Sequence, residues 1–102
     1  MYYTYMLRCK DNSIYTGYTD NLEKRMLAHF SQNKQAAKYT KSHEPLKLEI
    51  AWQTKEKSNA CKLEYQIKRL TKKEKEELII DNKLNKYLKG KIDARKYRKI
   101  IK

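Results

Sequence analysis

Tyr15, Arg25 and His29 are the residues whose types and spacing could do chemistry together. Arg25 comes ten residues after Tyr15, and His29 four residues after Arg25. A guanidinium offers a planar fork of donors that matches phosphate oxygens. An imidazole, with an unperturbed pKa of about 6.5, exchanges protons near neutrality. A phenol titrates near pH ~10, so as a base it needs cations or an activated water beside it. The elements that must position these groups are legible around them. Ile14-Tyr15-Thr16 is β-branched and aromatic and reads as a strand. Gly17 lets the backbone bend or approach something closely. Asp20 followed by Glu23 has the form of a capping box, opening a helix from about Asn21 to Phe30. Leu22, Met26 and Phe30 are its apolar positions, and Arg25 and His29 stack on one flank.

Residues 2–9 read as an earlier strand, with Tyr3, Tyr5, Leu7 and Cys9 on one face, joined to the Ile14 strand by a hairpin turn through residues 10–13. Residues 31–45 are polar and basic. Lys38 and Lys41 with Tyr39 between them suit phosphate contact and base stacking, or an ordinary solvated loop. Leu46, Leu48, Ile50 and Trp52 alternate with Lys47 and Glu49, which predicts a third strand with one buried face. A second helix, capped by Ser58, carries the stripe Ala60, Leu63, Ile67, Leu70, with Glu64 one turn before Lys68. Thr71 and Glu74 form another capping box, and Leu78 and Ile79 of that third helix point inward. The order β-β-α-β-α-α predicts an α+β fold, a three-stranded antiparallel sheet flanked by helices.

The chain of 102 residues suffices for one small domain. Its formal net charge of +13, spread along the whole length, favours a polyanionic partner, nucleic acid before membrane. No long apolar run or signal-peptide pattern stands out. Cys9 and Cys61 lack metal-ligand spacing and fit a reduced, cytoplasmic setting. From about residue 81 the composition shifts toward Arg95, Lys96, Arg98, Lys99 and Lys102. Residues 81–102 are either a short packed helix or a mobile basic arm.

The tripeptide Tyr15-Thr16-Gly17, the earlier Tyr3-Thr4-Tyr5, and the positions of Arg25, His29 and Glu64 together resemble the GIY-YIG nuclease family, over roughly residues 1–80. The match is to its small single-domain bacterial branch. The resemblance implies a catalytic set of Tyr5, Tyr15, Arg25 and His29, and a metal-binding glutamate at Glu64 for Mg²⁺ or Mn²⁺. One tyrosine would help deprotonate water while the other orients water or phosphate; Tyr15 is favoured as the base. The first motif has Tyr3 and Thr4 for its glycine and isoleucine, and Thr16 stands for isoleucine in the second. Tyr18, where some relatives carry a cation, becomes a stacking platform. Tyr18, Lys24, Lys38, Tyr39 and Lys41 are the expected nucleic-acid contacts. Two functions from different classes follow. One is a divalent-metal-dependent DNA endonuclease, with a protein partner supplying specificity if the chain does not. The other is a non-catalytic nucleic-acid-binding module that keeps the fold and serves a partner enzyme.

Overall fold

Strand β1 (Tyr2–Cys9) lies in the interior of the sheet, and burial on both its faces follows from that place. The computed structural model describes residues 1–31 and 42–101, Ile101 by its backbone alone. Lys38, Tyr39 and Lys41 lie outside the described residues. Strand β2 (Ile14–Thr19) returns antiparallel to β1 through a turn in which Asn12 takes φ 72° and Cys9 N–H donates to Ser13 O. Asn is one of the few side chains that tolerates this left-handed conformation. Helix α1 (Leu22–Ser31) follows. Its cap is Asn21, whose Oδ1 accepts from Lys24 N–H at 3.0 Å, and not the expected Asp20. Strand β3 (Pro45–Thr54) pairs with the other side of β1. Then come α2 (Lys57–Lys68), α3 (Lys72–Asp81), α4 (Leu84–Leu88), a 3₁₀ turn (Ala94–Lys96) and β4 (Arg98–Ile101).

Among the described residues the sheet has four strands in the order β2-β1-β3-β4, all antiparallel, not the expected three. The additional strand comes from the basic tail and adds to the free edge of β3. Strand β3 also departs from simple alternation. Its register against β1 passes from Met6–Ile50 to Leu7–Leu48, so Glu49 is an extra residue. Such a bulge turns the following side chains to the other face. Ile50 and Trp52 therefore pack with the helices of one face, and Leu48 joins Ala51 on the opposite one.

The larger core holds Met6, Ile50 and Trp52 against Leu63, Ile67 and Leu70 after them, Leu78 of α3, and Leu84, Leu88 and Ile92 of the tail. The apolar stripe read for α2 is buried as its spacing predicts. Helix α2 is capped at Glu56, without any side-chain cap bond, where the sequence suggested Ser58. The Thr71–Glu74 capping box of α3 forms in both directions. Asn82, at φ 59°, ends α3, so α4 is a separate short helix and not its continuation. On the opposite sheet face, Leu22 and Met26 of α1 cover Tyr5, Leu7 and Ala51. Phe30, expected inward, is exposed; Ala28 and His29 are the buried residues of α1. Arg8 ties the sheet to α3, with Nε on Glu49 at 2.9 Å and its two terminal nitrogens on Glu76 at 2.6 and 2.5 Å. Among the described residues no helix is long and apolar enough to cross a membrane.

Candidate active site

Tyr5 and Gly17 are direct cross-strand partners. The Tyr5 ring folds over Gly17, so that a Cβ there would lie 2.6 Å from Tyr5 Oη and 2.9 Å from a ring carbon of Tyr15. Tyr15 is two residues before Gly17 and shares its face of β2. The glycine is thus the floor on which two tyrosine rings meet, their centroids 6.1 Å apart. This is the close approach its position in the sequence suggested.

Helix α1 brings His29 and Arg25 onto the same two rings. His29 Nε2 is 2.7 Å from Tyr5 Oη, and its ring makes edge contacts with both tyrosines at 5.6 and 5.5 Å. Arg25 Nε donates to Tyr5 Oη at 3.4 Å, and the guanidinium also reaches Tyr15. Tyr5 and His29 are fully buried. Burial raises the Tyr5 hydroxyl pKa well above its ordinary value, so it stays protonated. Burial, followed by the nearby Arg25 charge, lowers His29 to about 4, so it is neutral at pH 7. A neutral imidazole accepting from Tyr5, while Tyr5 accepts from Arg25, uses both the donor and the acceptor of the phenol.

Helix α2 approaches from the other face, pinned to β1 by Thr4 Oγ1 donating to Ala60 O at 2.8 Å. Glu64 and Lys57 from α2 line a polar cleft of about 430 Å³ with Arg25 from α1 and Tyr15 and Tyr18 from β2. Tyr2 and Asp20 complete its wall. The Glu64 side chain is one-fifth exposed and lies 3.4 Å from Lys68 Nζ. Lys68 Nζ also sits 5.7 Å from the centre of the Tyr15 ring, a cation–π contact. Tyr18 lies against Cys61 of α2, which raises its hydroxyl pKa. The exposed Lys24 borders a smaller cleft beside Arg25.

The five residues singled out as chemical, Tyr5, Tyr15, Arg25, His29 and Glu64, therefore converge on one edge of the sheet. Tyr5 and His29 form its buried back; Tyr15, Arg25 and Glu64 face the cleft. Sequence reading passed over Lys57 and Tyr2, and treated Lys68 only as an alternative partner of Glu64. The i, i+4 spacing of Glu64 and Lys68 was the one signal available for the last.

Residues 1–77 match the family model described as the GIY-YIG catalytic domain. The chain belongs to the GIY-YIG family. That places it in a nuclease superfamily. Among its GIY-YIG relatives, the UPF0213 protein of Fusobacterium nucleatum is 44% identical over 95 residues, covering 93% of this chain and 91% of that one. The UPF0213 protein of Clostridium perfringens is 48% identical over 79 residues, covering 78% and 83%. The solution NMR structure of the UPF0213 protein from Bacillus halodurans shares 40% identity at a TM-score of 0.51, covering 78% of this chain and 84% of that one.

Proposed function

We propose that this protein is an endonuclease that hydrolyses phosphodiester bonds of DNA in the cleft at the β2 edge. The observation that carries the reading is the meeting of Tyr15, Arg25 and Glu64, from three different elements, around one polar cleft backed by a buried Tyr5–His29 pair. The scissile phosphate sits against Arg25. Tyr5 holds the Nε side of that guanidinium and so sets the plane of its fork. Because burial keeps Tyr5 protonated, Tyr5 positions and does not take the proton. Tyr15 faces the cleft and is the tyrosine that orients the attacking water and, in its phenolate form, takes the water's proton to become the phenol as the hydroxide attacks phosphorus. Neutral His29 holds Tyr5 in place from behind.

The donor set fits a hard divalent cation such as Mg²⁺ or Mn²⁺. Such an ion keeps most of its waters and borrows substrate phosphate oxygens, so one carboxylate can hold it. Glu64 would hold it, exchanging its contact with Lys68 for the cation. When bound, such an ion supplies Lewis acidity and charge neutralisation at the phosphate.

The Glu64–Lys68 ion pair is also what a metal-free binding module would keep, and it favours the second reading: nucleic-acid binding in service of a partner enzyme. Glu64→Gln separates the two. With metal titrated against single-stranded, duplex and branched DNA, the variant should bind as well as the parent and cut at background rate. A variant that cuts like the parent removes Glu64 from the mechanism. A parent that binds but cuts none of these substrates with either cation leaves the binding module.

A further inference from the structure

A phenol that takes a proton from water must first carry negative charge, and a phenolate is favoured by a cation beside it. Strand β2 supplies none: from Ile14 to Thr19 it has no basic residue. Arg25 of α1 reaches Tyr15, but it also holds Tyr5, and a phosphate bound against it would neutralise its charge. Lys57 lines the cleft with Asp20 opposing it in charge. The cation whose placement on Tyr15 the fold itself enforces is Lys68, the last residue of α2.

Tyr15 packs on the α1 face of the sheet with Tyr5 and Leu7, whereas Leu63 and Ile67 of α2 are buried on the opposite face. The Lys68 side chain nevertheless ends with Nζ 5.7 Å from the centre of the Tyr15 ring. It therefore passes around β2, the edge strand, to reach a ring on the far face. Its Nζ also lies 3.4 Å from Glu64. Lys75 of α3, whose pKa is lowered by burial and then by the charges of Lys72 and Lys68, adds like charge beside it. Lys72 is taken up by Glu76 at 3.2 Å. Around Tyr15 the remaining neighbours are Tyr5 and His29, both uncharged at pH 7. Lys68 does not line the cleft, so it acts through Tyr15 and Glu64. Once Glu64 turns to a divalent cation, Lys68 has lost its carboxylate, and a phenolate on Tyr15 becomes the anion within its reach.

We propose that Lys68 is a positioning residue for phosphodiester hydrolysis, moving from the Glu64 carboxylate to the phenolate of Tyr15 and holding it where it meets the attacking water. The proposal rests on the endonuclease reading of the cleft. The water gives its proton to the phenolate, the hydroxide attacks phosphorus, and Lys68 stays an ammonium throughout. Loading of Glu64 and readying of the base are then one exchange.

Nitration by tetranitromethane consumes phenolate and needs neither metal nor DNA, so it reads the Lys68–Tyr15 contact apart from cleavage. The comparison is made in the Glu64→Gln background, where no carboxylate competes for Lys68. There Lys68→Met, which keeps an apolar stem and loses the charge, should slow modification of Tyr15 on the order of tenfold. Peptide mass spectrometry measures it against the half-buried Tyr3. Lys68→Arg keeps a cation for the ring and should stay within about threefold. With Glu64 intact and Mg²⁺ saturating, Lys68→Met should lower kcat on the order of tenfold near pH 7. KM should stay within about twofold, and the gap should close as the pH rises toward ~10, where a phenol ionises without help. Lys68→Arg should cut close to the parent rate. Thermal unfolding shows that each variant is folded. The inference is overturned if Lys68→Met leaves Tyr15 nitration unchanged, or if its loss in kcat persists at high pH, as a merely structural lysine predicts. It is also overturned if Lys68→Met cuts faster than the parent, the result expected of a lysine that only guards Glu64. A parent that cuts no substrate while nitration falls as expected refutes the endonuclease reading; cleavage with unchanged nitration refutes the role of Lys68 alone.

Discussion

Gly17→Ala tests the construction of the site at its tightest point. The added Cβ would lie 2.6 Å from Tyr5 Oη, against an ordinary contact of at least 3.4 Å. Something must move by about 0.8 Å, and Tyr5 Cζ at 2.8 Å and the Tyr15 ring at 2.9 Å block rotation in place. Displacing the hydroxyl by that amount stretches its 2.7 Å contact with His29 to about 3.5 Å, beyond useful hydrogen-bond length. Overpacking of this kind costs ~1–3 kcal/mol. At about 4–8 °C per kcal/mol for a domain near this size, Tm should fall by about 5–20 °C. Misplacement of reacting groups by about 1 Å can reduce rate on the order of 10²-fold. Scanning calorimetry and a single-turnover cleavage assay on the same preparations read both quantities. If Gly17→Ala melts within about 1 °C of the parent and cuts at the parent rate, the close packing of the two rings over Gly17 is not what organises the site.

His29 is neutral in the folded state with its pKa lowered to about 4, while the unfolded chain titrates near 6.5. The unfolded state then binds more protons between those values, so stability is full above about pH 6.5 and declines as the pH falls toward 4. Thermal melts across that window should show a shallower decline for His29→Gln than for the parent. Arg25→Ala should lower single-turnover cleavage on the order of 10²–10³-fold with a much smaller effect on DNA affinity measured by anisotropy; an unchanged rate would make Arg25 structural only. Arg8→Met removes the guanidinium that Glu49 and Glu76 share, leaving them only Lys47 and Lys72, and should lower stability by about 1–3 kcal/mol in urea unfolding. A change of under about 0.5 kcal/mol would mean that water replaces Arg8 at no penalty.

The sequence carried the site further than it carried the sheet. Tyr15, Gly17, Arg25 and His29 sit within one strand–turn–helix unit, so their proximity follows from local geometry, and local geometry is what residue patterns encode. Tyr5 was reachable through the hairpin. Glu64 needed the family resemblance, because a stripe on α2 shows which face is buried but not which cleft the flank meets. The bulge at Glu49 was invisible because Leu48, Ile50 and Trp52 alternate perfectly in the sequence; only pairing with β1 turns Leu48 away. Strand β4 was missed because four residues, Arg-Lys-Ile-Ile, offer no period to detect inside a run of cations. The choice between Asp20 and Asn21 as cap turned on one residue of backbone register, which composition does not fix. His29 reads as a helix-flank polar residue and is buried, because its partner Tyr5 comes from another element.

The fourth strand has a consequence for how the chain behaves on its own and in crowded solution. A sheet edge is a row of unpaired backbone donors and acceptors, ready to recruit another chain. Without β4 that row would run along Ala51–Gln53, in front of Trp52 and the larger core. β4 covers it with a strand that is itself a poor template: four residues long, irregular in register after Ala51, and bearing Arg98 and Lys99 at its start. Charge repulsion between such edges opposes the sheet-to-sheet stacking that a bare β3 would invite. The last residues of the chain thus act as a guard against self-association, and shortening the protein to the matched residues 1–77 should produce an aggregating fragment before it produces a monomer.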